Sequence, residues 1–208
     1  MSSPSPEPDR AKIVVVRHGE TEWSREGRHT GHTDVPLTDL GRRQARALAG
    51  PLAAREYGLV LTSPLSRAAE TCALAGFSDR AEPSDDLLEW DYGDYDGRTT
   101  LEIRDERPGW TLWADGVPKG ELAASVGRRA DRVIERAREG TGDTLCFAHG
   151  HLLRVLASRW VGLPPMGGRL IVLDAAAVGE LGWEREVPAL SRWNDTAHLD
   201  PTLALRPS

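Results

Sequence analysis

The strongest constraint on the fold is a set of short β-branched or wholly apolar runs, each too brief for a helix and each followed by a stretch with helical character. Lys12-Ile13-Val14-Val15-Val16 reads as a strand buried on both faces, as do Gly58-Leu59-Val60-Leu61 and Thr144-Leu145-Cys146-Phe147-Ala148. Strands without polar alternation belong to parallel sheets covered by helices on both sides. The segments between them agree. Thr38 to about Arg55 is expected to be one helix, capped by Thr38, with Asp39 in its first turn and Ala45, Leu48, Ala49 and Leu52 on one face. Pro64 opens a second helix. A third, near 120–138, lines up Leu122, Val126, Ala130, Val133 and Ala137, and Gly150 to Val161 is apolar enough to lie close to the core. Residues 77–98 are expected to be irregular, broken by Pro83, Gly93 and Gly97. Residues 169–174 and 177–184 read as two strands of an edge hairpin, and the tail from about Pro188 shows little periodicity. The Ser- and Pro-rich residues 1–11 are expected to be disordered, leaving 12–208 as one domain. The pattern predicts an α/β fold, a three-layer α/β/α sandwich with a mostly parallel central sheet.

Charge and composition narrow the function classes. The 208 residues hold 26 Lys+Arg and 32 Asp+Glu, a net charge of −6, and their 39% hydrophobic content excludes a wholly disordered chain. The acidic balance argues against general nucleic-acid or anionic-membrane binding, which reward a basic surface. No apolar run approaches the roughly 18 residues that span a bilayer. The N-terminus lacks the apolar core of a signal peptide, so the expected location is cytoplasmic. Cys72 and Cys146 make neither a disulfide framework nor a metal finger. His29-Thr-Gly-His32 is a weak metal pair. The acidic run Asp91 to Gly97 fails as a calcium loop, because alignment on Gly97 puts Tyr92 at the first ligand and Ile103 at the bidentate position. Neither a metal nor a cofactor is expected. Arg128-Arg129 reads as a solvated helix face, and Trp90 and Trp113 as candidates for packing against a sugar ring.

In parallel sheets, ligands bind beyond the carboxyl ends of the strands. Three such ends carry Arg17-His18-Gly19-Glu20-Thr21, Thr62-Ser63-Pro64-Leu65-Ser66-Arg67 and His149-Gly150-His151. Two histidines and two arginines at one rim repel each other unless an anion joins them, and the planar arginine fork suits phosphate. Arg67 would also stand at the unfavourable end of its helix dipole for a cation, a sign of a purpose other than solvation.

Arg17 to Trp23 resembles the signature of the histidine phosphatase superfamily, which includes cofactor-dependent phosphoglycerate mutases. The resemblance continues through Thr30 to Thr38, Ser63 to Thr71, Glu89 to Gly97 and Ala148 to His151, and covers roughly residues 12–185. It implies a phosphoglycerate mutase-like fold and a phosphohistidine formed on His18, with Arg17, Arg67 and His149 holding the phosphoryl oxygens. His149 would act there protonated, its pKa raised by the phosphate. Glu89 matches the general acid and base, and an adjacent phosphate should raise its pKa. Gly19 and Gly150 would admit backbone close to the anion. Ser24, Thr30, Gly31 and Tyr92 match positions that contact substrate, Ser24 replacing the asparagine of many relatives. Glu20 matches a structural position.

The alternatives are a phosphoglycerate mutase and a non-catalytic phospho-ligand-binding protein. True mutases resemble Glu-Arg-x-Tyr-Gly at the acid and carry a longer basic insertion. Here Glu89-Trp90-Asp91-Tyr92-Gly93 stands instead, and Arg98 to Gly120 is short, with Asp105, Glu106 and Asp115 offsetting its basic residues. The branches most similar are mycobacterial acid phosphatases and fungal sedoheptulose-1,7-bisphosphatase-like enzymes. A small phosphorylated metabolite is the expected partner, with a homodimer left open.

Overall fold

The computed structural model describes residues 10–200 and 203. In chain order the elements begin with β1 (Ile13–Arg17), α1 (Glu22–Arg25), α2 (Asp39–Ala47), α3 (Ala49–Ala53), β2 (Leu59–Thr62), α4 (Ser66–Leu74) and β3 (Ala81–Pro83). They continue with α5 (Thr100–Glu106), α6 (Leu112–Asp115), α7 (Ala123–Glu139), β4 (Thr144–Ala148), α8 (Gly150–Trp160), β5 (Val178–Glu184) and β6 (Val187–Asp195). The sheet order is β3-β2-β4-β1-β5-β6. β1, β2, β3 and β4 run parallel, and β5 and β6 are antiparallel additions at one edge.

Both faces of the sheet are covered, as the unbroken apolar strands require. Ile13, Val15, Leu61 and Cys146 pack on one side with Val126, Ala130 and Val133 of α7 and Leu152, Val155 and Leu156 of α8. Val14, Val16, Val60, Leu145 and Phe147 pack on the other with Leu48, Leu52 and Cys72. Successive strand residues therefore alternate between two apolar layers, which is the three-layer α/β/α sandwich.

Several local expectations change. The single helix at 38–55 is split in two at Leu48, whose N–H turns back to Ala45 and Arg46. Pro51 follows within α3, where it has no N–H to continue the α2 ladder. Thr38 does cap α2, its hydroxyl accepting the Gly41 N–H at 3.0 Å. Residues 169–174 form no strand, because a 3₁₀ helix, Pro165–Leu170, runs into an irregular segment. The edge hairpin pairs β5 with β6 instead, in the tail that shows no clear periodicity. A register shift between Val178 and Leu181, together with a half-exposed outer strand, breaks the alternation that would have marked β6. The irregular 77–98 stretch contains β3 and two 3₁₀ turns.

Of the segment expected to be disordered, residues 1–9 lie outside the described residues. Arg10 and Ala11 are held, the Arg10 guanidinium lying 5.0 Å over the Trp183 ring and the Ala11 carbonyl accepting the Trp183 indole N–H at 3.1 Å. Among the described residues no helix is long and apolar enough to cross a membrane.

The loop after β1 sits directly on the first turn of α2. A Cβ on Gly41 would lie 2.1 Å from the Glu20 carbonyl oxygen, and one on Gly19 would lie 2.4 Å from the Gly41 oxygen. Gly41→Ala gains about 1 kcal/mol of helix propensity but forces two backbones apart, at about 3 kcal/mol. Urea denaturation is therefore expected to show a net loss of about 2 kcal/mol.

Candidate active site

Strand register brings the chemistry together. β1 and β4 are aligned with Arg17 opposite Ala148, so His18 and His149 each stand one residue beyond a strand end, side by side. Their ring centroids are 5.2 Å apart. β2 is aligned on the other side of β4 with Thr62 opposite Phe147, so Ser63 follows level with Ala148, and its hydroxyl reaches His149. All three strand ends thus meet at the carboxyl rim.

A cavity of about 180 Å³ opens there. Of the sequence-expected residues, Arg17, His18, Ser24, Thr30, Glu89, Tyr92 and Gly150 line it. Arg67, His149 and Gly31 do not, and Arg67 and His149 are fully buried behind it. A larger hollow of about 490 Å³ near α3 and β5 contains Arg55, Arg192 and His198. Its arginines are already neutralised, Arg55 by Glu180 at 2.8 Å and Asp143 at 3.2 Å, and Arg192 by Asp195 at 3.3 Å. Charge therefore favours the smaller cavity as the reactive one.

Hydrogen bonds fix both histidine tautomers. His18 Nδ1 lies 2.7 Å from the Gly19 carbonyl, which can only accept, so Nδ1 carries the proton and Nε2 keeps its lone pair. Arg67 Nε donates to His149 Nδ1 at 3.1 Å, leaving the His149 proton on Nε2, which donates to Ser63 Oγ at 2.8 Å. Arg67 also donates to the carbonyls of Thr30, Gly31 and Thr33 at 3.3, 2.7 and 3.1 Å. Four of its five N–H groups are thereby committed. Arg17 gives Nη1 to the Leu173 carbonyl at 2.5 Å, while its buried Nε has no hydrogen-bond partner among the described residues.

Burial, followed by the charges of Arg67 and Arg17, pushes the His18 pKa well below the usual histidine range. Burial and then Arg67, His18 and Arg17 do the same to His149. The protein alone thus drives His149 in the direction opposite to the sequence expectation, and a protonated His149 would need the charge of a phosphoryl group beside it. Burial lowers His29 to about 4 and holds His151 far down as well.

Glu89 is anchored where α8 begins. Its Oε1 accepts the N–H of Trp90 and of Leu152, both at 2.9 Å, and its Oε2 accepts the His151 N–H at 3.0 Å. The segment carrying it is stapled by Arg129, which donates to the carbonyls of Asp86, Leu88 and Glu89 and pairs with Glu121 at 2.6 Å. This corrects the reading of Arg128-Arg129 as a solvated face: Arg128 is exposed, but Arg129 holds the loop that bears the candidate acid. The Ser24 hydroxyl donates to the Thr21 carbonyl at 3.0 Å and accepts the Thr21 N–H at 2.9 Å, so it lines the cavity while closing the capping box of α1. Glu20 accepts the Thr38 hydroxyl at 2.8 Å and stays outside the cavity.

Two further expectations change. Trp90 is wholly buried, its indole N–H on the Glu121 carbonyl at 2.8 Å, so it cannot meet a sugar ring. Trp113 is covered by the Arg154 guanidinium, 4.9 Å above its ring. The acidic run around Asp91 has structural partners: Asp96 accepts from the Gly31 N–H and the Thr33 hydroxyl, and Asp91 from the Gly93 N–H. No cluster of three or more metal-ligating side chains occurs among the described residues.

The sequence model of the histidine phosphatase superfamily (branch 1) matches residues 13–196. The chain belongs to the histidine phosphatase superfamily. It is 41% identical over 198 residues to an acid phosphatase of Mycobacterium tuberculosis, covering 93% of this chain and 97% of that protein. It is 38% identical over 185 residues to the sedoheptulose 1,7-bisphosphatase of Saccharomyces cerevisiae, covering 73% and 68% respectively. The solved structure of a Mycobacterium tuberculosis open reading frame superposes with a TM-score of 0.82 at 39% identity, covering 88% of this chain and 97% of that one.

Sequence reasoning missed Arg28, His29, His151 and Arg154 as cavity residues. Arg154 had a readable signal, since it falls four residues after Gly150 on α8 and so shares its face. Arg28 and His29 adjoin the expected Thr30, but no spacing rule singles them out. In the segment Arg98 to Gly120, the arginines are internally engaged: Arg98 pairs with Glu106 at 2.7 Å, Arg104 binds the Trp110 carbonyl and Arg107 the Tyr95 hydroxyl. None of them lines the cavity.

The lowered histidine pKa values carry a stability consequence. These rings stay neutral in the fold, whereas in the unfolded chain they take up protons below about pH 6.5. Below that pH the unfolded state binds more protons, so stability falls as pH falls, and for His29 this continues to about 4. Urea unfolding is expected to show declining stability from pH 7 to pH 5, with a shallower slope in His29→Gln.

Proposed function

We propose that this protein is a phosphatase of small phosphate monoesters, sugar phosphates foremost, working through a phosphohistidine on His18 with Glu89 as general acid and base. The observation that carries the reading is the His18 Nδ1–Gly19 carbonyl bond, which leaves Nε2 as a nucleophile on a ring lining an arginine-bearing cavity. The family and the phosphatases among its relatives support a phosphoric monoester hydrolase.

In the first step, Nε2 of His18 attacks phosphorus and the bond to the ester oxygen breaks. Glu89, protonated, gives its proton to that leaving oxygen. In the second, Glu89 as carboxylate takes a proton from water, whose oxygen attacks the phosphohistidine and frees inorganic phosphate. Arg17 offers its unpartnered Nε to the phosphoryl oxygens, and Gly150 admits the anion to the start of α8. Arg67 contributes mainly from behind, through its charge and its hold on His149 and the 30–33 loop. The internally paired arginines of 98–120 favour hydrolysis over a mutase reaction, because no basic insertion reaches the cavity to retain a phosphorylated product.

His18→Ala is expected to abolish turnover of 4-nitrophenyl phosphate. Glu89→Gln is expected to cost about 10²–10³-fold in kcat with alkyl phosphates and much less with the activated aryl ester, which needs little protonation. Equal losses on both would overturn the acid role. Full activity in excess EDTA is expected, and its abolition would overturn a metal-independent mechanism. A screen of sugar phosphates and 3-phosphoglycerate, with a mutase assay alongside, decides the substrate class. Faster isomerisation than hydrolysis would replace the phosphatase by a mutase.

A further inference from the structure

Arg154 is a cavity-lining cation with no carboxylate at ion-pair distance among the described residues, although the charge of Glu89 on the same cavity favours its protonated form. Its Nε donates to the Gly168 carbonyl at 3.0 Å, and its guanidinium carbon lies 4.9 Å over the Trp113 ring. The packing is close: a Cβ on Gly168 would lie 2.8 Å from Trp113 and 3.0 Å from the Arg154 backbone. These contacts orient the guanidinium plane and engage Nε alone. Among the described residues, neither Nη group has a hydrogen-bond partner, and no carboxylate forms an ion pair with Arg154. Arg28, on the same cavity, differs: its Nε is on Glu26 at 2.6 Å, its Nη1 on the Gly97 carbonyl at 2.8 Å, and Glu102 lies 3.6 Å away.

The position of Arg154 is set by α8. Gly150 begins the helix beside Arg17, whose Nε would be 3.4 Å from a Cβ placed there. Arg154 follows four residues later on the same face, about 6 Å along the helix axis. His151 stands between them and also lines the cavity. Its Nδ1 is hydrogen-bonded to the Tyr92 hydroxyl at 2.6 Å, and burial holds the imidazole neutral. One helical turn therefore presents an anion site at Gly150 and Arg17, a neutral imidazole at His151, and a second cation at Arg154 whose Nη groups are uncommitted among the described residues.

We propose that Arg154 is a specificity-determining residue that binds a second anionic group of the substrate, a phosphate or a carboxylate, about one helical turn from the phosphate that is removed. The preferred substrates are then short phosphorylated compounds with an anion at both ends. This assignment rests on the phosphatase reading above and deepens it. Pre-organisation by Trp113 and Gly168 means that the guanidinium loses little freedom on binding. Its planar fork matches either oxyanion.

The test compares paired substrates with wild type, Arg154→Met and Arg154→Lys. One pair is fructose 1,6-bisphosphate against fructose 1-phosphate; the other is 3-phosphoglycerate against glycerol 3-phosphate. Arg154→Met keeps an apolar stem against Trp113. It is expected to lower the ratio of kcat/KM for the substrate with two anionic groups over that for its partner with one at least tenfold in one or both pairs, chiefly through KM. Arg154→Lys is expected to restore part of that ratio, and added salt to shrink it. Loss in the first pair identifies phosphate as the second group, and loss in the second pair identifies carboxylate. Equal losses on both members of each pair, or no change in either ratio, would overturn the assignment, because a merely structural arginine cannot discriminate between them. If wild type hydrolyses none of these esters, the phosphatase reading fails separately. Calorimetric binding of fructose 1,6-bisphosphate then tests Arg154 alone: affinity at least tenfold weaker in Arg154→Met supports it, and equal affinity overturns it.

Discussion

The parallel register between β1 and β4 is the constraint on which the site depends. It places His18 and His149 next to each other without any direct bond between them. A slip of one residue would send Arg17 and Val16 to opposite layers and bury the wrong side chains. Both faces of both strands are apolar, so the register rests on how the side chains of each layer fit their neighbours rather than on alternating polarity. The precision of the chemistry is thus inherited from the core.

Around that pair the protein assembles positive charge and then limits it. Arg17, Arg67 and Arg154 would repel protonated histidines; burial holds the four rings near the cavity neutral, and arginine charge adds to it at His18, His149 and His151. Among the described residues the one carboxylate lining the cavity, Glu89, is tied to three backbone N–H groups. An acidic chain with a net charge of −6 therefore still offers a phosphate ester a locally positive enclosure.

Much of this was legible in the residues. The apolar strands declared a covered parallel sheet, the strand-end motifs supplied Arg17, His18 and Gly150 of the cavity wall, and the family resemblance supplied Ser24, Thr30, Glu89 and Tyr92. Less legible were features set by distant partners. The break at Leu48 lies just before Pro51, a signal that the continuous apolar periodicity hid, and β6 hides behind a register shift. Arg129 looks like any arginine on an amphipathic helix, because the carbonyls that it binds belong to a loop some 40 residues earlier. Trp90 looked like a platform and is core, since aromatic type does not reveal which side of a loop is covered.

Arg67 shows what a buried guanidinium can do that an exchangeable ion cannot. Its contacts reach the 30–33 loop and the end of β4 from α4, joining three segments remote in the chain through one fixed charge. In many proteins a bound cation makes such a junction, and the junction is then hostage to supply, competition and chelation. Here the cross-linking cation is encoded covalently and keeps its charge across the whole biological pH range. The framework around His18 is complete as soon as the chain has folded.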